Sequence, residues 1–241
     1  MGVVETTEDA IAFLEKYRTG PFLEIQGWLD PQFFDVLIAV KKAQNLTGAC
    51  GGAMEIGVHH GRFFIPLNGM IDDASRSFAV DLFEDQKFNV DKSGVGSRQH
   101  FQENLLKFDR HRGANVEIIK RDSIHADLSI FNGQKPILKL ISIDGGHTAE
   151  QTISDLRFCS SVLSPLGILF IDDILNGHWL GVIDGVTTFL RGRPTLWPLM
   201  IGHNKLVMCY MSVHEEYRKL LEAHLKFVKT TQLCGYDILA V

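Results

Sequence analysis

The stretch Ala53-Met54-Glu55-Ile56-Gly57-Val58-His59-His60-Gly61 decides the fold. A short apolar run ends at a carboxylate and a glycine turn, and Gly61–Met70 after it has helical character. The same figure recurs downstream. Phe78-Ala79-Val80-Asp81, Leu138–Asp144 and Ile168–Asp172 are apolar runs ending on an acid, and Val116–Lys120 is followed at once by Arg121 and Asp122. Helical segments separate them: Ser97–Phe108 places Phe101, Leu105 and Phe108 on one face, and Thr148–Leu163 opens with the capping-box pattern Thr148-Ala-Glu-Gln151. Runs too apolar to alternate, each followed by a helix, describe parallel strands buried on both faces of an α/β sheet.

Upstream, Glu8–Arg18 reads as a helix ended by Gly20-Pro21. A second helix begins at Asp30-Pro31, an N-cap followed by proline at the first helical position, and fades near Thr47-Gly48. Residues 1–48 are therefore expected to form a helical extension, or cap, on a domain spanning 49–241. Downstream, Trp179–Leu190 reads as a helix. Thr195–Ile201 and Lys205–Met211, joined by Gly202-His203-Asn204, are spaced for an antiparallel hairpin at a sheet edge. A helix from Ser212 carries a capping box, Ser212–Glu215, and an apolar stripe of Tyr217, Leu220, Leu221, Leu225 and Val228. Gln232–Val241 reads as a strand or a tail.

The 241 residues are 45% apolar and 22% charged, enough to bury a real core. With 29 acidic and 24 basic residues the net charge is −5, so there is no basic excess to neutralise nucleic-acid phosphates. No apolar run approaches the ~20 residues that cross a bilayer, so no membrane partner is expected. Met1–Tyr17 is acidic, the wrong charge for a signal peptide. Cys50, Cys159, Cys209 and Cys234 lie far apart without a CxxC pair, which predicts buried free thiols and a cytoplasmic setting.

Ligands of open α/β sheets bind beyond the carboxyl ends of the strands, and the strand-end acids point there. Gly57 and Gly61 would let the backbone approach a ligand at the start of the next helix. The dinucleotide fingerprint GxGxxG is absent, and Glu55 sits where it would repel a pyrophosphate. A cationic sulfonium bearing an α-amino group would instead be attracted. Asp81, about twenty residues on, can accept both hydroxyls of a ribose. Asp122-Ser123 could meet an adenine edge or cap a short Ile124–Phe131 helix, and the two readings are compatible. Asp144 and Asp172-Asp173 end consecutive strands, ~4.8 Å apart if these are neighbours. Three carboxylates so close would repel unless a hard cation joined them, and an all-oxygen set favours Mg²⁺ or Mn²⁺. His147, three residues past Asp144, is placed as a general base. The polar stretch Glu84–Gly96 could be a lid or a plain solvated loop. Phe63, Phe64, Trp179 and the Asn176–Trp179 stretch are candidates for pocket walls.

On Glu55-Ile-Gly57-Val-x-x-Gly61, Val80-Asp81-Leu-Phe83, Ile143-Asp144-Gly-Gly-His147 and Ile171-Asp172-Asp173, the chain resembles class I S-adenosylmethionine-dependent methyltransferases from about Gly51 to Met211. More narrowly it resembles the metal-dependent O-methyltransferases that include the macrocin-type macrolide-sugar enzymes and, more distantly, catechol O-methyltransferase. The resemblance implies a Rossmann-like, mostly parallel sheet of seven strands with an antiparallel last strand and helices on both faces. It implies S-adenosylmethionine held by Glu55, Gly57, Gly61, Asp81, Asp122, Ser123 and Asp144. Mg²⁺ or Mn²⁺ would sit on Asp144, Asp172 and Asp173, with Asp144 and His147 as the catalytic pair. His59 stands where many relatives carry a third glycine. The expected activity is methyl transfer to a hydroxyl of a small molecule, preferably a vicinal diol of a sugar or a phenol. A nucleotide-linked oxidoreductase and a non-catalytic binding module on the same fold are the alternatives. In relatives of this kind exposed N-terminal helices often pair subunits, so a homo-oligomer is a further expectation.

Overall fold

The computed structural model describes residues 7–133 and 135–241, so the first six residues of the expected 1–48 extension lie outside it. The N-terminal helices are α1 (Thr7–Thr19), the single turn α2 (Pro21–Glu24) and α3 (Phe33–Thr47). Asp30 does not cap α3 directly: Asp30-Pro31-Gln32 forms a turn in which Asp30 Oδ1 accepts the Gln32 N–H (2.8 Å), and α-helical bonding starts at Phe33. Gly48, in the left-handed region at φ 74°, ends α3 as its composition predicts.

β1 (Gly52–Ile56) leads through a loop to α4 (Phe64–Asn68), and β2 (Ser77–Asp81) through a longer one to α5 (Arg98–Phe108). The helix expected over Gly61–Met70 is shorter because Gly61 sits at φ 89°, outside the helical region. β3 (Val116–Lys120) is followed by two single-turn 3₁₀ segments, Ser123–His125 and Leu128–Phe131, where one helix was expected. Asp122 and Asp127 cap them in turn, each accepting an N–H two residues on, which resets the chain between them. β4 (Leu138–Ile143), α6 (Ala149–Val162), β5 (Leu163–Ile171) and α7 (Leu180–Arg191) complete the alternation. Thr148 caps α6 as its box predicts, accepting the Gln151 N–H at 3.2 Å. β6 (Leu196–Gly202) and β7 (Lys205–Tyr210) turn through His203 and Asn204, both at positive φ (51° and 63°), the backbone of a tight two-residue hairpin. α8 (His214–His224) begins two residues after Ser212, so the Ser212–Glu215 box does not form. Tyr217 and Leu221 of its stripe are buried.

The sheet has nine strands in the order β3-β2-β1-β4-β5-β7-β6-β9-β8, rather than seven. The two additional ones are β8 (Lys229–Leu233) and β9 (Tyr236–Ala240), a hairpin formed where a strand or tail was expected. β9 pairs parallel with β6, so the β6–β7 hairpin is internal rather than at the edge. The last residue folds along the same line: the Val241 N–H donates to Ile201 O (3.1 Å), and Val241 lies against Gly202. β1 to β5 are parallel and β7 runs against β5.

Strand residues alternate between two cores, as a pleated sheet requires. Ala53, Ala79, Leu140, Ile168 and Phe170 face one that includes α3, α5 and α8, whereas Met54, Val80, Ile141 and Leu169 face one that includes α6 and α7. The N-terminal helices share the first core: Phe33 packs edge-on against Phe63 and Phe170. Phe63 and Phe64 are thus core residues rather than pocket walls. Among the described residues no helix is long and apolar enough to cross a membrane. Cys159 and Cys209 are buried, but Cys50 and Cys234 are exposed, contrary to the expectation of four buried thiols; all four are free.

Candidate active site

A cavity of about 500 Å³ opens at the carboxyl ends of β1 to β5. That is the size of a small-molecule site. Its wall includes Gly57, Asp81, Asp122 and Ser123, and also Asp144, His147, Asp172 and Asp173. Two residues expected there are elsewhere. Gly61 packs beneath the Phe101 ring, where a Cβ would lie 2.8 Å from the ring edge, and it does not reach the cavity. Glu55 points from β1 into the first core, fully buried behind the wall, because strand alternation turns it away from Ile56. Both its carboxyl oxygens and the neighbouring Ser142 Oγ lack a hydrogen bond of ordinary geometry. Burial, then the charge of Asp144, push the Glu55 pKa well above the carboxylate range.

Gly57 sits at φ 84°, and a Cβ there would fall 1.7 Å from the Asp144 carbonyl oxygen. Only glycine lets the end of β1 cross the end of β4 this closely. Asp81 accepts the Phe83 N–H (2.5 Å) and the His59 N–H (2.7 Å), one on each carboxyl oxygen, and so fixes the glycine turn. His59 has φ 53°, the left-handed backbone that favours glycine, and its ring lies between Trp28 and His60. Asp122 caps the 3₁₀ turn, accepting the Ile124 N–H at 3.1 Å, and still faces the cavity.

Beneath Ser123 and Gly145 lies Asp155 of α6, with no exposed surface and both oxygens outside hydrogen-bond geometry. Burial lifts its pKa to about 7. A carboxyl raised this way favours the fold below about pH 4 and loses that contribution as pH climbs past about 7, roughly 4 kcal/mol in all. Asp155→Asn is therefore expected to gain stability over the parent at pH 8 and little at pH 4, read by urea denaturation at both.

The acidic end differs from three free carboxylates. Asp144 ends β4 on the cavity wall, and among the described residues no hydrogen bond reaches its carboxylate; burial and then Asp172 hold its pKa well up. Asp172 is engaged twice, by the Asp173 N–H (2.8 Å) and by the ammonium of Lys205. Lys205 opens β7, is 1% exposed, and its Nζ sits 4.3 Å over the Phe63 ring. Burial opposes its charge, but Asp172 and Asp144 outweigh that and raise its pKa. Asp173 Oδ1 accepts from Asn176 Nδ2 and Asn204 Nδ2, both at 2.8 Å, and its Oδ2 lies 3.0 Å from His147 Nε2. The other ring nitrogen, Nδ1, is 2.8 Å from Asp91 Oδ2, and the ring stacks on Trp179 at 4.4 Å. Burial disfavours the imidazolium, yet Asp173 and Asp91 prevail and lift the His147 pKa to about 8.

Among the described residues, the group geometrically able to hold a cation is Asp144, His147 and Asp173, whose ligand atoms lie within 4.8 Å of one another. Asp172, expected in that set, lies outside it, with its Oδ2 taken by the Lys205 ammonium. Two carboxylates with a further polar shell suit a hard divalent ion. Lys205, Asn204 and Trp28 on the wall, and Asp91 behind the His147 ring, are the residues that sequence reasoning missed. A lysine at the head of the buried run Lys205–Met211 was a usable sign, because a charge there demands a carboxylate partner.

A family described as a methyltransferase domain matches residues 54–174, half of the chain. No curated protein matches. Among solved structures, the O-methyltransferase NovP is similar at 14% identity and a TM-score of 0.62, over 85% of this chain and 99% of that one. CalS11, a TDP-rhamnose 3′-O-methyltransferase of calicheamicin biosynthesis, is similar at 16% identity and a TM-score of 0.51, over 87% and 97%. An O-methyltransferase from Bacillus cereus in complex with SAH is similar at 12% identity and a TM-score of 0.56, over 83% and 89%. These likenesses are of fold.

Proposed function

We propose that this chain, which belongs to the methyltransferase-domain family, transfers the methyl group of S-adenosylmethionine to a hydroxyl oxygen, assisted by Mg²⁺ or Mn²⁺. The observation that carries the reading is one cavity with the glycine turn and Asp81 at one end and Asp144, His147 and Asp173 at the other. The donor, when bound, supplies a methyl on a positive sulfur, and a hard cation supplies Lewis acidity towards the acceptor oxygen.

The chain's own residues have the following parts. Asp81 receives the ribose hydroxyls, using the lone pairs left by its two backbone bonds. Asp122 and Ser123 border the adenine. Gly57 keeps the wall thin beside Asp144, and the Asp144 carboxylate draws both cations to the same corner. Asp144 and Asp173 hold the metal, while Asp172 stands behind them, neutralised by Lys205. His147 takes the acceptor's proton at Nε2, where Asp173 steadies the resulting charge. Trp28 and Trp179 flank the remaining wall, a setting for a sugar or phenol ring, and two adjacent hydroxyls would chelate the metal best. The preferred acceptor is thus a vicinal diol.

Calorimetric titration with S-adenosylmethionine is expected to show one site per chain, and an absence of heat would remove the donor. With binding in hand, EDTA is expected to abolish methylation of a diol panel. Unchanged turnover would take the cation out of the proposal.

A further inference from the structure

Residues 82–97, between β2 and α5, cross the cavity from end to end. At the donor end a Cβ on Gly96 would lie 3.2 Å from Asp81 Oδ1 and 3.3 Å from His59 Cα, so this backbone rests on the glycine turn. In the middle, Asn89 Nδ2 donates to Gln86 Oε1 (2.7 Å) and Ser93 O (2.6 Å), which knits the segment into a unit. At the far end one oxygen, Asp91 Oδ2, accepts from both the backbone N–H (2.7 Å) and Nδ1 (2.8 Å) of His147. Asp91 Oδ1 accepts the Ser93 N–H (2.9 Å), so the carboxylate is itself held. The pair is nearly closed to solvent, with side chains 9% and 10% exposed.

We propose that Asp91 is a positioning residue through which closure of the 82–97 segment over the donor sets the ring of His147 for proton transfer. The inference rests on the methyl-transfer reading. A hydrogen bond from Nδ1–H to Asp91 commits that nitrogen and leaves Nε2 on the side of Asp173, whose Oδ2 lies 3.0 Å from it on the cavity wall; the Trp179 stack then fixes the ring plane. The base is complete only when the segment is down, which ties proton abstraction to a covered site. A segment that merely shielded the cavity would need no carboxylate on the histidine.

The test uses the full chain as wild type, Asp91→Ala and Asp91→Asn. In ¹⁵N-histidine spectra at alkaline pH, where the ring is neutral, wild-type His147 is expected in the Nδ1–H form, and Asp91→Ala is expected to lose that preference. Turnover of Asp91→Ala should fall about 10²-fold, with donor affinity by calorimetry held within about threefold. Asp91→Asn, whose amide oxygen still accepts from Nδ1, should retain turnover within about tenfold of wild type. An Nε2–H wild-type ring, or a spectrum and turnover untouched in Asp91→Ala, overturns the inference. Failure of the wild type to bind donor would defeat the methyl-transfer reading instead, and the ring spectrum would still decide whether Asp91 sets the tautomer.

Discussion

Asp144→Asn is expected to lower turnover by about 10²–10³-fold in a protein that still folds. The backbone of Asp144 is what the fold uses: its N–H donates to Ile56 O (2.8 Å) and its carbonyl lies where only Gly57 can pass. Asparagine keeps both. What it removes is the negative charge at the corner where the proposed sulfonium and metal meet. Because burial already pushes the Asp144 pKa well up, loss of that charge should leave stability equal or slightly higher. Circular dichroism and melting would verify the fold, and a diol assay the activity. A folded variant with parental turnover would strip Asp144 of its role.

Lys205→Met carries the largest expected cost in stability, about 3–5 kcal/mol, because it strands Asp172 beside Asp144 and Glu55 without a cation. Methionine retains most of the side-chain volume against Phe63 and Phe33, so the loss reports charge rather than shape. The sign of its pH dependence follows. Lys205, with its pKa raised, contributes fully below the ordinary lysine range, so nothing of its own changes near neutrality. Asp144 and Glu55 are already raised by burial and held down by the charge of Lys205, so its loss raises them further, and a raised acid loses stability as pH increases. The deficit should therefore be larger at pH 8 than at pH 5 by urea denaturation, and Asp172→Asn in the same chain should recover most of it. Equal stability of variant and parent would show that the buried pair contributes nothing net.

The parallel sheet was legible because buried strands cannot alternate, and each of β1, β2, β4 and β5 announced its end with an acid or glycine. Thr148 and Gly48 were legible for the same local reason, a side chain or backbone that suits one helix terminus. Ser212 shows the limit: a similar capping pattern was passed over, and α8 starts at His214 with Val213 at its cap. Glu55 and Gly61 were read as wall residues from spacing, but spacing does not say which side of a strand or turn faces the ligand. Asp91 was invisible because its partner, His147, lies 56 residues away and its own loop, residues 82–97, has no periodic pattern. The hairpin β8–β9 was half legible, since its strands are short and one, β8, is polar and mostly exposed.

That hairpin also fixes where the chain leaves the sheet. β9 runs in the same direction as β1 to β5, so Val241 finishes at the rim that carries the cavity, one residue's reach from the His203–Asn204 turn in its wall. An affinity tag or fused domain joined there would begin at the mouth of the pocket, within easy range to obstruct it.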